Sequence, residues 1–310
     1  MDIGPGLPTP TPAGRFAPSP SGELHVGNLR TAVLAWLFAR TTGRAFGIRM
    51  EDLDRTAVGA DQQQLADLAA LGVDWDPPVI YQTDRQAVYQ SVIDTLRDAG
   101  RTFECFCTRR EILEAPSAPH APQGAYPGTC RDLTPAQRAE RRAAGRPPAV
   151  RLRADTDVFT VDDELHGTYT GAVDDFVIQR NDGTPAYNLA VVVDDAAQGI
   201  DQVVRGDDLL SSAPRQGYLA TLLGHTPPAY AHVPMVLNSE HIRLSKRDGA
   251  VTLSDLAERG VTADDVLSHM ASSLGLGDAG ETVDTAMLLE RFRPAALPRD
   301  PWILTDDEWS

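Results

Sequence analysis

The chain has 310 residues, and its 28 basic side chains are outnumbered by 44 acidic ones, which gives a formal net charge of −16. Hydrophobic residues make up 42% of it and charged residues 23%, the balance of a globular protein with room for two or three domains. There is no apolar run long enough for a membrane span, no secretion signal pattern and an odd number of cysteines, three. Together these features argue against a membrane protein and a disulfide framework, and favour a reducing, cytoplasmic location.

The N-terminal part of the chain combines a leader with a strand, a turn and a helix. Residues 1–13 are rich in proline, glycine and threonine, and we expect a flexible leader there. Residues 15–28 then predict a short strand, a turn and the start of a helix that ends near Gly43. The positive end of this helix lies near His25, whose side chain adds a donor, so the pattern indicates a phosphate site. Gly27 has no Cβ and would let a flat base approach the backbone.

A strand and two amphipathic helices are expected after the first helix. Residues 45–50 predict a strand that ends at Glu51, where a carboxylate could hold an ammonium group or simply pair with Arg55. Residues 62–71 and 86–96 predict amphipathic helices, and a short strand or turn is expected between them at residues 73–75. A strand, a helix, a strand and further helices are the opening of a doubly wound nucleotide-binding fold.

All three cysteines lie in the next part of the chain. Cys105 and Cys107 are alternate residues of an extended segment and share a face, so one metal ion can reach both. Cys130 is the third sulfur, and Tyr126 and His120 are the candidates for a fourth ligand. Buried free cysteines remain the alternative at this point.

An arginine-rich segment comes next. Residues 131–153 contain seven arginines and two acidic residues, in contrast to the acidic remainder of the chain. A helix is expected from Thr134–Pro135 to Gly145. The arginines indicate either a solvated helical face or a contact with the phosphate backbone of a nucleic acid, and we favour the contact.

The later strands return the chain to the main sheet. A turn at residues 181–183 is expected to close a hairpin, and the apolar run 189–195 predicts a central parallel strand. Residues 202–204 form another strand, which ends at Arg205, and residues 230–237 form the last. They lead into a polar loop, residues 243–249, with Lys246 at its centre. Lys246 is the only lysine in the chain, which suggests that a compact, mobile ammonium binds phosphate there.

The first and last of these features carry a resemblance to a known family. Residues 15–28 resemble the HIGH signature of class I aminoacyl-tRNA synthetases of the glutamate branch, and residues 243–247 resemble the KMSKS signature. Asn28 stands where the full HIGH motif has its second histidine. The resemblance implies adenylation with ATP and Mg²⁺, with His25 and Lys246 as catalytic residues. The residues it implies for ATP binding are His25, Gly27, Asn28, Ser245 and Lys246.

The same resemblance implies the amino acid and the metal. A free glutamate has two carboxylates, and Arg15 and Arg205 are cations at two strand ends, although the sequence leaves open which arginine meets which carboxylate. The implied glutamate-binding residues are Arg15, Phe16, Ala17, Pro18, Ser19, Glu51, Tyr187 and Arg205. Members similar to glutamyl-queuosine tRNA(Asp) synthetases carry one structural zinc, and the residues that match its ligands are Cys105, Cys107, Tyr126 and Cys130.

The expected fold class is α/β: a Rossmann-like doubly wound parallel sheet with a zinc-bearing β-rich insertion and a short helical C-terminal region. The catalytic domain is expected at residues 14–100 and 176–237. The insertion, which would contact RNA, is expected at residues 101–175, and the KMSKS loop with the helical region at residues 238–310.

The last part of the chain indicates the acceptor. Only 63 residues follow Arg247, and residues 254–310 hold twelve acids against four arginines, unlike the long anticodon-binding part of glutamyl-tRNA synthetases. In this respect the chain is similar to glutamyl-queuosine tRNA(Asp) synthetases, and this resemblance implies tRNA-independent activation of L-glutamate and its transfer to queuosine in the anticodon of tRNA(Asp). We also expect a monomer. The alternatives are a truncated glutamyl-tRNA synthetase that charges a tRNA 3′ end, a nucleotidyltransferase without an RNA partner, and a non-catalytic glutamate-binding paralogue.

Overall fold

The computed structural model describes residues 11–114, 125–244, 251–305 and 309. Its centre is a seven-stranded sheet whose strands are β1 (Ala13–Phe16), β2 (Ala45–Met50), β3 (Ile80–Tyr81), β6 (Val158–Asp163), β7 (Gly167–Ala172), β9 (Ile200–Gly206) and β10 (Ala229–Val233). The order is β3-β2-β1-β9-β10-β6-β7, and every neighbouring pair is parallel except β6 and β7. The strands β2 and β3 lie on one side of β1, and β9, β10, β6 and β7 lie on the other. The direction in which strands are added to the sheet therefore reverses between β1 and β9. A crevice at the carboxyl ends of these two strands is where such sheets bind ligands.

Both faces of the sheet are covered. The helices that pack around it are α1 (Val26–Thr41), α2 (Ala60–Ala70), α3 (Gln86–Asp98), α6 (Tyr187–Ala197) and α7 (Ala213–Leu222). Val204 of β9 joins the apolar cluster of α1, whereas Val203 joins a cluster with Ala213 of α7. Since successive residues of a strand point to opposite faces, α1 and α7 lie on opposite sides of the sheet.

A second, three-stranded antiparallel sheet contains β4 (Thr102–Cys105), β5 (Ala149–Leu152) and β8 (Val177–Gln179), in that order. Two short helices accompany it, α4 (Arg109–Glu114) and α5 (Pro135–Ala143). The expected insertion, residues 101–175, is thus divided between two sheets. The hairpin β6–β7 extends the main sheet beyond β10, while β8, which follows residue 175, belongs to the smaller sheet. The domain boundaries drawn from the sequence stay a prediction.

The C-terminal part is helical, with α8 (Leu253–Glu258), α9 (Ala263–Ser273), α10 (Thr285–Arg291) and a two-stranded sheet of β11 (Val236–Leu237) and β12 (Trp302–Ile303). It packs on α1, where the rings of Phe38 and Phe292 meet edge to face at 5.0 Å between centroids. No helix in the described part of the chain is both long and apolar enough to cross a bilayer.

The predicted central strand is wrong. The apolar run 189–195 lies within the helix α6, and all seven of its residues are buried because α6 packs between the sheet and its neighbours. A continuous apolar run looks the same in a buried strand and a helix buried on every side, so periodicity cannot separate them. The central strand is β9 instead. Residues 73–75 form no strand; the edge strand is β3, and the turn at residues 181–183 leads through a single bridge at Pro185 into α6.

Candidate functional site

A cavity of about 900 Å³ opens at the carboxyl ends of β1, β2 and β9, at the crevice where the winding reverses. It also reaches the N-terminus of α1 and the first residue of α6. Ten of the residues predicted to bind glutamate or ATP line it, namely Phe16, Ala17, Pro18, Ser19, His25, Gly27, Asn28, Glu51, Tyr187 and Arg205. These residues come from four separate parts of the chain, so the sheet brings the predicted site together.

The segment after β1 is held against the end of β2 by backbone and side-chain hydrogen bonds. Pro18 O accepts a bond from Glu51 N at 2.9 Å. The buried side chain of Gln64 donates to Ser19 O at 3.1 Å and to Gly22 O at 2.6 Å. The wall of the cavity formed by residues 16–19 is therefore fixed by α2 and β2, and Gln64 is a supporting residue that the sequence patterns did not reveal.

His25 is the N-cap of α1. Its Nδ1 accepts a hydrogen bond from Asn28 N at 3.3 Å, so the proton of the neutral ring is on Nε2. Gly27 packs beneath this ring, since a Cβ there would lie 3.1 Å from two ring atoms of His25 and 3.3 Å from Val236 Cβ. The sequence predicted that Gly27 makes room for a base; in the structure, the missing Cβ makes room for the histidine.

The ends of the predicted KMSKS loop meet at this helix terminus. Leu244 lines the cavity, and Val251 O accepts a hydrogen bond from Val26 N at 3.0 Å. Thr252 forms a β-bridge with His25. Ser245 and Lys246 lie outside the described residues, but the positions on either side of residues 245–250 flank the N-terminus of α1.

The two predicted glutamate-binding arginines have different surroundings. Arg15 does not line the cavity; it is 4% exposed and its Nε is 3.2 Å from Asp195 Oδ1, which also receives Arg49 Nη1 at 2.7 Å. Burial raises the pKa of Asp195, but the charges of Arg15 and Arg49 outweigh it and the net pKa is below the ordinary value. Asp195 is thus ionised and compensates the charge of Arg15.

Arg205 is also buried, at 5% exposure, but its hydrogen-bond partners are neutral. Its Nε donates to His232 Nε2 at 3.0 Å, Nη1 donates to Gln216 Oε1 at 2.7 Å, and Nη2 lies 3.4 Å from Leu209 O. Its guanidinium is 5.4 Å from the centroid of the Tyr230 ring. Within the described ranges, no carboxylate oxygen lies within the 4.0 Å of an ion pair with Arg205.

Glu51 is the acidic group of the cavity. It is 3.3 Å from Arg49 Nη2, yet burial raises its pKa more than the charges of Arg49 and Arg15 lower it. A cation from a ligand would stabilise its ionised form. Tyr187, the first residue of α6, is 42% exposed in the same cavity. The cavity therefore offers a cationic group without a carboxylate partner, a carboxylate that favours a cation, and a helix N-terminus.

The cysteine cluster lies apart from this cavity, beside the smaller sheet. The sulfurs of Cys105, Cys107 and Cys130 all lie within 4.8 Å of one another. The Tyr126 hydroxyl is 3.6 Å from Cys105 Sγ and accepts a bond from Cys130 N at 2.7 Å. Burial raises the pKa of Cys107 to about 12, and the two neighbouring thiols add to the effect. Three sulfurs and a phenol at these distances form a set of ligands that could hold one divalent metal ion. His120, the other candidate, lies outside the described residues.

Much of the charge in the arginine-rich segment is paired within the protein. Arg131 pairs with Asp175, and the other pairs are Arg142–Glu104 at 2.5 Å, Arg146–Glu111 at 3.1 Å and Arg153–Asp132 at 3.1 Å. The helix α5 starts after Thr134, as expected; Thr134 and Gln137 form a capping box there, and the helix has no buried residue. It presents Arg138 and Arg141 without such ion pairs among the described residues, so the basic surface is smaller than the sequence indicated.

The sequence patterns missed the residues behind the cavity. Asp195, His232 and Gln216 contact the two arginines, and Asp163 contacts His232. Each of these four residues is polar and buried. The acids that interrupt the end of the run 189–195 were the one available signal, since buried carboxylates need partners.

Comparison with known proteins identifies the family of the chain. Residues 13–284 match the family model for the catalytic domain of class I tRNA synthetases (E and Q). The chain is 63% identical over 300 residues to the glutamyl-Q tRNA(Asp) synthetase of Nocardia farcinica, covering 97% of this chain and 95% of that protein. It is 38% identical to the glutamate–tRNA ligase of Pelobacter propionicus, covering 95% of this chain and 63% of that one.

Solved structures have the same fold. The glutamate–tRNA synthetase of Elizabethkingia anophelis matches with a TM-score of 0.80 at 24% identity, over 96% of this chain and 69% of that one. The chain therefore belongs to the class I tRNA synthetases of the E and Q type, a family of ligases, and within it to the glutamyl-Q tRNA(Asp) synthetases.

Proposed function

We propose that this protein activates L-glutamate with ATP and transfers the glutamyl group to the queuosine base in the anticodon of tRNA(Asp). The observation that carries the first half is the cavity itself. It combines Arg205, a buried cation with neutral partners, with Glu51, a carboxylate whose ionised form needs a cation, and with the N-terminus of α1. These three features suit the carboxylates, the ammonium and the phosphates of the reactants.

In the proposed reaction, an oxygen of the α-carboxylate attacks the α-phosphorus of ATP, and pyrophosphate leaves with the electron pair of the broken P–O bond. The protein acts by holding the reactants and neutralising charge. His25 donates from Nε2 to a phosphate oxygen beside the N–H groups of α1, with Gly27 and Asn28 in the same wall. Lys246 and Ser245 contribute from the loop anchored at residues 244 and 251. Mg²⁺ would enter as part of the ATP complex and offset phosphate charge.

Glutamate would occupy the opposite end of the cavity. Glu51 binds its ammonium group, and Arg205 binds one of its carboxylates. Arg15 lies behind the cavity wall, where it pairs with Asp195 and adds positive charge near the glutamate. Phe16, Ala17, Pro18, Ser19 and Tyr187 shape the walls of this end. In this assignment, the doubly wound sheet is a Rossmann-like scaffold that aligns the two reactants at its carboxyl edge.

We also propose a structural zinc ion held by Cys105, Cys107, Tyr126 and Cys130. The ligands come from β4 and from the loop before α5, so the metal would fasten that loop to the smaller sheet. The exposed helix α5, with Arg138 and Arg141, is the surface we assign to the RNA. The names of relatives such as that of N. farcinica support queuosine as the acceptor.

Two measurements test the proposal. Glutamate-dependent ATP–pyrophosphate exchange without tRNA tests the activation step, and it should be present with glutamate and absent with aspartate. Labelled glutamate is then supplied with ATP and with tRNA(Asp) that contains or lacks queuosine, and nuclease mapping locates the label. Label in the anticodon of the queuosine form alone supports the proposal. Label on the 3′-terminal adenosine favours charging of a tRNA, the activity named for the P. propionicus relative.

A further inference from the structure

Asp163, the last residue of β6, is a buried carboxylate whose hydrogen-bonding capacity is filled by N–H groups. Its Oδ1 accepts from Leu165 N and His166 N, each at 2.9 Å. Its Oδ2 accepts from His232 N at 3.1 Å and contacts His232 Nδ1 at 2.5 Å. Three of these partners are backbone N–H groups, and the fourth, His232 Nδ1, carries a hydrogen because Nε2 of the same neutral ring accepts from Arg205 Nε. Asp163 is therefore an acceptor at every contact, which is the role of an ionised carboxylate.

This arrangement fixes the tautomer of His232, which lies on β10 and is fully buried. Nδ1 faces the carboxylate of Asp163 and carries the hydrogen, so Nε2 is an acceptor. Nε2 accepts the hydrogen bond from Arg205 Nε at 3.0 Å. Burial lowers the pKa of His232, and the nearby positive charge of Arg205 lowers it further. The hydrogen bond to Asp163 raises this pKa, but the net pKa is below the ordinary value. The ring is therefore neutral, and its two nitrogens connect the carboxylate of Asp163 to the guanidinium of Arg205.

Arg205 is held on its other edges as well. Gln216 Oε1 accepts from Nη1, and Gln216 is itself oriented because its Nε2 donates to Asn188 Oδ1 at 3.0 Å. The guanidinium is therefore oriented by neutral acceptors that leave its charge for a ligand. A carboxylate in direct contact, such as Asp195 at Arg15, would orient the guanidinium equally well but would also neutralise its charge.

We propose that Asp163 and His232 are positioning residues, which hold Arg205 in the orientation that receives a carboxylate of glutamate. This inference rests on the proposed function, because it assumes that Arg205 binds glutamate. It also gives the hairpin β6–β7 a role, since this hairpin extends the main sheet and places Asp163 behind the cavity.

Two substitutions separate positioning from packing. In Asp163→Asn the amide oxygen can accept from Leu165 N and His166 N, and the amide nitrogen then faces His232. Nδ1 of His232 must then accept a hydrogen bond from this amide nitrogen, so the hydrogen of the neutral ring moves to Nε2. The N–H groups of His232 Nε2 and Arg205 Nε then face each other, and the hydrogen bond between them is lost. In His232→Gln, Oε1 replaces Nε2 and keeps an acceptor for Arg205, whereas His232→Asn is too short to supply one.

The experiment measures ATP–pyrophosphate exchange with glutamate and ATP varied in turn. We expect Asp163→Asn and His232→Asn to raise the KM for glutamate by about 10- to 100-fold, the scale of a misdirected hydrogen bond to a charged group. The KM for ATP should change less than about twofold, and His232→Gln should recover most of the loss. Tyr218→Phe is the matched control, because it removes part-buried hydrogen bonds to Asp155 and Arg101, residues that do not line the cavity.

An unchanged KM for glutamate in both His232→Asn and Asp163→Asn would overturn the inference. So would equal rises in the KM values for glutamate and ATP with a loss of stability like that of Tyr218→Phe, because this pattern indicates packing alone. If Asp163→Asn does not fold, the two His232 variants decide. Absence of glutamate-dependent exchange in the unmodified protein would instead overturn the proposed function, and the inference with it.

Discussion

The arginine pair behind the cavity, Arg15 and Arg49, and the cysteine cluster are both polar sites in the interior of the protein, but they are completed in different ways. Around Arg15 and Arg49, the chain supplies the opposing carboxylates itself, with Asp195 bridging both guanidinium groups. Around Cys105, the neighbours include two thiols and a phenol, which together could ligate a divalent cation, and the guanidinium of Arg151 lies 3.8 Å from the centroid of the Tyr126 ring. The first site should therefore owe its stability to ion pairs within the chain, whereas the second should depend on a metal.

The largest effect should follow removal of the bridging carboxylate. Asp195→Ala would leave Arg15 and Arg49 buried with too little negative charge, which costs about 3–5 kcal/mol in the free energy of unfolding. Urea denaturation measures this loss. The matched control is Asp201→Ala, because Asp201 pairs with Arg44 at 2.8 Å near the surface, where a pair contributes about 0–1 kcal/mol. Equal losses in the two variants would show that the ion pairs around Arg15 do not hold the site.

The next effect concerns activity without stability. Lys246→Ala should lower the exchange rate by about 10²–10³, the range for loss of one group that stabilises transition-state charge, while the urea midpoint stays unchanged. Lys246→Arg keeps the charge and should still lose at least about tenfold, because a planar fork replaces a compact ammonium. Full exchange in Lys246→Ala would remove the assigned role, and full exchange in Lys246→Arg would show that charge alone is sufficient.

The sequence predicted the residues that line the cavity better than the residues that hold them in place. His25, Glu51 and Arg205 stand at ends of strands and helices, where polar residues are visible against apolar runs. By contrast, His232 and Asp163 lie within β10 and at the end of β6, and their pairing depends on which strands are neighbours. Strand order is a long-range property that local periodicity does not encode, and this is also why the hairpin β6–β7 was not expected in the main sheet.

The mistake at α6 has the same origin. A buried helix and a buried strand are both rich in apolar residues. The pattern of residues 189–195 therefore predicted correctly that they are buried, but predicted a strand where the structure has a helix. Tyr187 nevertheless lines the cavity, because it stands at the first residue of that helix rather than on a returning strand.

The cysteine site should respond to metal removal. If free zinc exceeds its dissociation constant a hundredfold, binding stabilises the folded state by about 2.7 kcal/mol, and a chelator removes that contribution. We expect a lower melting temperature and loss of about one zinc per chain by elemental analysis, with exchange changed less than about threefold when Mg²⁺ is kept in excess. Cys105→Ser should show the lower melting temperature from the start and no further response to the chelator. A chelator response that persists in Cys105→Ser would place the metal elsewhere.

The smallest effect is a pH dependence at Glu51. Burial raises the pKa of this carboxyl above its ordinary value, against the charges of Arg49 and Arg15, while Asp195 adds to the rise. Protonation therefore begins at a higher pH than for an exposed glutamate, and a neutral Glu51 no longer attracts the substrate ammonium. The KM for glutamate should rise as the pH is lowered toward that pKa, by about twofold where the pH equals it and half of the carboxyl groups are protonated. Glu51→Gln should show a raised KM without this slope; the same slope in Glu51→Gln would assign the titration to another group.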